Sequence, residues 1–140
     1  MQFRIAAIAL LASAVAGAAL PAEAEAAGNE ARSVIEPRAN GDITWYNVGL
    51  GACGQTNKDS DLIVALNKAD FDPYTPGGNP NKNTLCGKKM RVSYGGKSVD
   101  VTLRDRCDGC KKGDVDLSPA AFKKLADLGK GRIKGSWKWL

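Results

Sequence analysis

The chain contains no histidine. Its four glutamates, Glu23, Glu25, Glu30 and Glu36, all precede Gly41, so from there on every carboxylate side chain is an aspartate. Without an imidazole, Ser-His-Asp and Cys-His catalysis are excluded, as is any His-ligated metal. Long apolar runs are scarce as well. The one candidate, Ile5 to Leu20, is short for a membrane span, rich in alanine, and has no basic stop-transfer flank. With 140 residues there is no room for more than one ordinary domain.

What is present begins with a leader. Arg4 supplies a positive n-region, the apolar run follows, and Ala14-Val15-Ala16 and Ala16-Gly17-Ala18 are small-residue cleavage patterns. Residues 1–18, or to about 22, therefore read as a secretory signal peptide. Residues 19–40 lack periodicity and read as a flexible leader or pro-segment. Residues 41–140 read as the folded domain, secreted and extracellular. Removing the leader makes the domain more basic, with Lys and Arg concentrated at 88–91, 104–112, 123–124 and 130–138. A solvated surface accounts for this. A sharper reading is an anionic partner, such as an acidic wall polysaccharide or an acidic protein face. Neither nucleic acid nor membrane is expected as a partner, and a monomer is expected.

The cysteines are Cys53, Cys86, Cys107 and Cys110. Secretion favours disulfides over a zinc site, so no metal or cofactor is expected. Spacing leaves three connectivities open. The preferred one pairs Cys53 with Cys86 and Cys107 with Cys110. A Cys-Xaa-Xaa-Cys can also be a redox centre, but that chemistry places the first cysteine at a helix N-terminus. Here the next helix starts only near Ser118.

The domain pattern is mainly β. Asp42 to Asn47 alternates around Ile43 and Trp45 and predicts a first strand. Leu62 to Leu66 is a short buried strand, after which Asn67 caps a turn of helix through Phe71. Asp72 to Leu85 is a long Pro/Gly-rich loop. Lys89 to Tyr94 and Lys97 to Arg104 predict a hairpin joined at Gly95-Gly96. Val115 to Leu117 is a brief extended piece. Ser118-Pro119 starts a helix with Gly129 as its stop. In the last strand Ile133, Gly135, Trp137 and Trp139 share an inward face, opposite Arg132, Lys134, Ser136 and Lys138. Six short strands with one or two short helices suggest a small closed barrel, whose closure hides the strand edges.

Several landmarks recur in a known order: Thr44-Trp45-Tyr46, Gly51-Ala52-Cys53-Gly54, Val64-Ala65-Leu66-Asn67, Leu85-Cys86-Gly87, Val99-Asp100-Val101 and Asp105 through Phe122. On these the region from Gly41 to Leu140 resembles the RlpA-like, barwin and expansin double-psi β-barrel superfamily. The fold this implies is a six-stranded double-psi barrel. Within it, Gly51 to Gly54, the loop Asp72 to Cys86, Asp105 to Cys110 and Trp137-Lys138 are similar to small one-domain proteins like the bacterial papain inhibitors. The preferred disulfide pairing fits that pattern.

Three functional readings follow from the resemblance. One is a binder and inhibitor of papain-type cysteine proteases, with Phe71, Pro73 and Tyr74 as anchors on the long loop. A second is an expansin-like binder of cell-wall polysaccharide, using Tyr46, Tyr74 and Trp45, with Asp105 at the position important in expansin domains. The third is a glycan-cleaving enzyme with Asp105 and Asp116 as its acid and base, or Asp108 or Asp114 in their place. Transglycosylases on this scaffold carry a histidine where this chain has Asn67. A non-enzymatic binder ranks first. In the plainer reading Asp105 and Asp116 only cap exposed backbone N–H groups.

Overall fold

The computed structural model describes residues 38–140. The signal peptide expected at 1–18, and the leader as far as residue 37, lie outside the described residues. Six strands run in chain order: β1 Ala39–Trp45, β2 Ile63–Asn67, β3 Lys89–Tyr94, β4 Lys97–Cys107, β5 Val115–Leu117 and β6 Arg132–Trp139. They close into a barrel in the order β1, β5, β2, β4, β3, β6. Two of the pairings, β1 with β5 and β2 with β4, are parallel, and the rest are antiparallel. Closure leaves no strand edge open to pairing with another chain.

The interior is filled by the inward residues of every strand. Ile43, Val64, Leu66, Val92, Val101, Leu103, Val115 and Leu117 meet there, and Phe71, Phe122 and Trp137 join the same cluster. The β3–β4 hairpin turns at Gly95 and Gly96, whose φ values of 54° and 80° are left-handed and favour glycine. Trp137 and Trp139 pack edge to face with ring centroids 5.5 Å apart. The Trp137 indole N–H donates to the Gly113 carbonyl at 2.9 Å, which satisfies its one polar group inside the core.

Two short helices complete the domain, α1 Lys68–Phe71 and α2 Pro119–Lys123. Asn67 caps α1, accepting the Asp70 amide at 2.9 Å. Ser118 caps α2, with Pro119 in its first turn. Two boundaries differ from the sequence expectation. β1 starts at Ala39 and stops at Trp45, because β6 pairs with Ala39 through Thr44 and leaves Tyr46 and Asn47 beyond the ladder. Helix α2 ends at Lys123, and Gly129 is not its stop. Gly129 sits instead in a separate 3₁₀ turn, Leu128–Lys130, whose Leu128 carbonyl accepts the Trp45 indole N–H at 2.9 Å. Among the described residues no helix is long and apolar enough to cross a membrane.

Both expected disulfides are present: Cys53–Cys86 with Cα atoms 5.8 Å apart and Cys107–Cys110 with Cα atoms 5.4 Å apart. The first spans 33 residues and joins the β1–β2 loop to the β2–β3 loop. The second closes a tight turn after β4.

Candidate functional site

The strand register brings the two leading aspartates into one row. Ala65 of β2 pairs with Asp105 of β4 on one side and with Asp116 of β5 on the other. Asp116 in turn pairs with Thr44 of β1, and Thr44 with Arg132 of β6. Residues directly opposite in a sheet share a face, so the five form a polar band across five strands, with Ala65 as its one apolar member. Two inter-strand spacings separate the Cα atoms of Asp105 and Asp116, roughly 10 Å. A register shift between Val64 and Ala65 brings Asp105 into line.

The two carboxylates sit in different environments. One oxygen of Asp105 accepts the backbone N–H groups of Ala52 and Arg106, each at 2.8 Å. The other accepts the Tyr46 hydroxyl at 2.9 Å. Asp105 is thus supplied with three donors, two of them from the backbone. Burial pushes the Tyr46 phenol well above its ordinary range, and the neighbouring Asp105 and Asp116 charges add to this. Tyr46 therefore stays protonated and serves as a fixed donor.

Asp116 accepts a single side-chain bond, from Thr44 Oγ1 at 2.9 Å. Burial raises its carboxyl above the usual range, and Asp105 adds to the rise. The Thr44 bond and the Arg132 charge oppose it. Asp116 lines an open groove of about 530 Å³ with Thr44, Trp45, Lys130 and Arg132, beside the Cys107–Cys110 disulfide. Asp105 is not among its lining residues. The Cys107 and Cys110 sulfurs and an Asp116 oxygen lie within 4.8 Å of one another, but the sulfurs are bonded together and offer no thiolate to a metal.

The alternates are engaged elsewhere. Asp114 accepts the amides of Asp42 at 2.9 Å and Lys111 at 3.1 Å. Asp108 pairs with Arg106 at the surface. Asn67, expected from the resemblance to stand where transglycosylases carry a histidine, is fully buried. It bonds to Asp70 and donates to the Asp114 carbonyl at 3.0 Å.

The long loop is the other candidate region. Phe71, expected as a protruding anchor, is 0% exposed and belongs to the core. Its ring packs in the core while its carbonyl accepts the Asn83 amide, so in this structure it supports the loop and does not protrude from it. Pro73 is exposed, and Tyr74 is 51% exposed. Tyr74 lies in a 3₁₀ turn, Asp72–Tyr74.

What holds this loop is a residue that sequence reasoning missed. Asn83 is buried, and its amide donates to the Phe71 carbonyl at 2.8 Å and to Thr75 Oγ1 at 2.9 Å. Its side-chain oxygen accepts the Leu85 amide at 2.8 Å. The Thr84 amide also donates to the Tyr74 carbonyl at 3.0 Å. Arg106 forks onto Asp72 at 2.6 and 2.8 Å and ties the loop base to the end of β4. Nothing separates Asn83 in the sequence from Asn79 and Asn81, which are exposed in the same loop.

A family model described as "Lytic transglycolase", that of the double-psi β-barrel, matches residues 38–137. The chain belongs to the RlpA-like double-psi β-barrel family. Within the family it is 39% identical over 145 residues to the papain inhibitor of Streptomyces mobaraensis, covering 99% of this chain and 94% of that protein. The solved Streptomyces papain inhibitor superposes with a TM-score of 0.68 at 40% identity, over 74% of this chain and 94% of that one. A mutant Clavibacter michiganensis expansin in complex with cellohexaose superposes with a TM-score of 0.60 at 26% identity. That match covers 74% of this chain but 50% of the expansin.

Proposed function

We propose that this protein is a secreted, non-catalytic binder that inhibits papain-type cysteine proteases. The observation that carries the reading is the stapled loop from Asp72 to Leu85. Inhibition needs a surface that meets its target without paying to order itself. Asn83, the Arg106–Asp72 fork and the Cys53–Cys86 disulfide meet that need. They present Pro73 and the half-exposed Tyr74 ring, and aromatic side chains are common anchors in interfaces. The near full-length likeness to a papain inhibitor supports the same reading.

The direct test is titration of papain with the full chain. Wild-type protein should inhibit, and Tyr74→Ala should weaken inhibition by roughly tenfold or more, the range of an interface hot spot. Undiminished papain activity at micromolar protein would refute the proposal.

A second reading has its own support. The groove beside Thr44, Trp45 and Asp116 is open and polar, and a related expansin was solved with cellohexaose. Polysaccharide binding there would appear as retention on insoluble cellulose, chitin or peptidoglycan, lost in Asp116→Asn or Trp45→Ala. Cleavage is the least supported reading. The Asp105 carboxylate already accepts three hydrogen bonds, two of them from the backbone, which leaves Asp116 without a free partner carboxylate.

A further inference from the structure

Resting on the inhibitor reading, we infer that the β1–β2 loop is a second half of the contact surface, with Leu50 as its anchor. Leu50 is 76% exposed, the most exposed of the large apolar side chains among the described residues. A lone exposed leucine is ordinary. This one is distinguished by the rigidity of the backbone that carries it. Leu50 forms an isolated antiparallel bridge with Thr56. Around it the Gly51 amide donates to Gln55, the Gly54 amide to Gly51 and the Asn57 amide to Gly49, each at 2.9 Å.

The base of the loop is clamped as well. The Val48 amide donates to Asp59 at 2.8 Å, the Ala52 amide to Asp105 at 2.8 Å and the Cys53 amide to the Arg104 carbonyl at 3.2 Å. Gly51 packs so closely on β4 that a Cβ there would run into the Arg104 carbonyl oxygen. A loop anchored this firmly cannot fold Leu50 back onto the domain. Its exposure is therefore a fixed feature, as an interface anchor requires.

The same loop is bound to the Tyr74 loop. Cys53, three residues after Leu50, is bonded to Cys86, and Gly54 packs against the Asn81 side chain. Thr84, two residues before Cys86, pairs with the Tyr74 backbone. Leu50 and Tyr74 thus ride on one covalently joined unit, with Asp105 and Arg104 of β4 beneath it. Asp105 acts as a positioning residue here, because its carboxylate sets where the Ala52 backbone lies. The partner that fits is a protein cleft offering two separate apolar subsites, one for each side chain.

Inhibition constants against papain test this with full-length wild type, Leu50→Ala, Leu50→Asp, Tyr74→Ala and Leu140→Ala. Leu140 is also exposed, but its backbone pairs with Lys89 at the start of β3 and belongs to neither loop. Leu50→Ala should weaken inhibition by roughly fivefold or more, Leu50→Asp by more still, and Leu140→Ala not at all. Thermal melting should be unchanged in all three, since each side chain faces solvent. If Tyr74→Ala weakens inhibition while both Leu50 variants match wild type, the second contact is wrong and the inhibitor reading stands. If wild-type protein leaves papain active, both fall together.

Discussion

The side chain of Asp105, near the end of β4, holds the backbone of Ala52 in the β1–β2 loop across a 2.8 Å hydrogen bond. The aspartate that the family resemblance marks as functional is here the fixed point on which a loop is hung. Its other two donors, the Arg106 amide and the Tyr46 hydroxyl, fix the carboxylate in turn. Replacing it by alanine leaves a part-buried phenol and two backbone N–H groups without their acceptor. We expect Asp105→Ala to cost about 2–3 kcal/mol, given that bonds to a charged acceptor are the stronger ones. Amide exchange at Ala52 should accelerate more than exchange in β3. Unchanged Ala52 protection in a folded variant would contradict the anchoring role.

Asn83 is expected to matter almost as much, without touching any partner. Asn83→Ala strips the acceptors or donors from Phe71, Thr75 and Leu85 inside the loop. Chemical denaturation should report a loss of about 2–3 kcal/mol, the cost of leaving buried polar groups unpaired. Asn81→Ala, an exposed neighbour in the same loop, should fall within about 0.5 kcal/mol of wild type.

The two disulfides should contribute unequally. Cys53–Cys86 spans 33 residues and its loss should cost about 3–4 kcal/mol through chain entropy. Cys107–Cys110 spans 3 and should contribute about 2 kcal/mol or less. Paired Cys→Ser variants measured by thermal unfolding check the order. Equal losses would mean that the short bridge does more than close a turn.

Stability should respond to pH in two opposed ways. Side-chain bonds to Arg132 and Lys134 hold the Asp42 carboxyl below its usual value, Arg106 does the same for Asp72, and Arg91 for Asp100. Carboxyls lowered in the folded state contribute stability that is present above the unfolded value of about 4 and lost as pH falls through the folded values. Asp72 and Asp100 are exposed and Asp42 is only partly covered, so the effect of each is small and salt-sensitive. Asp116 is raised, chiefly by burial, so its ionisation works against the fold as pH rises from about 4 through its folded value. Asp116→Asn retains an acceptor for Thr44. It should raise the melting temperature at pH 7 and leave it nearly unchanged at pH 3. A variant that melts lower at pH 7 would show that the charge on Asp116 is needed by Arg132.

Much of the barrel can be read from local pattern. The alternation in β6, the Gly95-Gly96 turn and the Ser118-Pro119 start depend on neighbours a few residues away, so periodicity and cap chemistry suffice to find them. Both disulfide partners were also anticipated, though spacing alone left the choice open. The separate 3₁₀ turn after α2 cannot be read locally, because its Leu128 carbonyl accepts the indole of Trp45, 83 residues distant.

The candidate site divides in the same way. Its residue types were visible in sequence: aspartates as the domain's sole carboxylates, and a Pro-rich loop bearing an aromatic. Their roles depended on packing across the barrel. Phe71 and Tyr74 are three positions apart in one segment, yet one ring is buried in the core and the other meets solvent. Asp105 and Asp116 look alike in sequence, but strand register gives one three donors and the other a groove. Sequence determined the strands, the caps and the absence of any imidazole, because those follow from local chemistry. The tertiary structure decided which polar groups are spent on holding loops and which remain open to a partner, because that depends on what closure of the barrel places beside them.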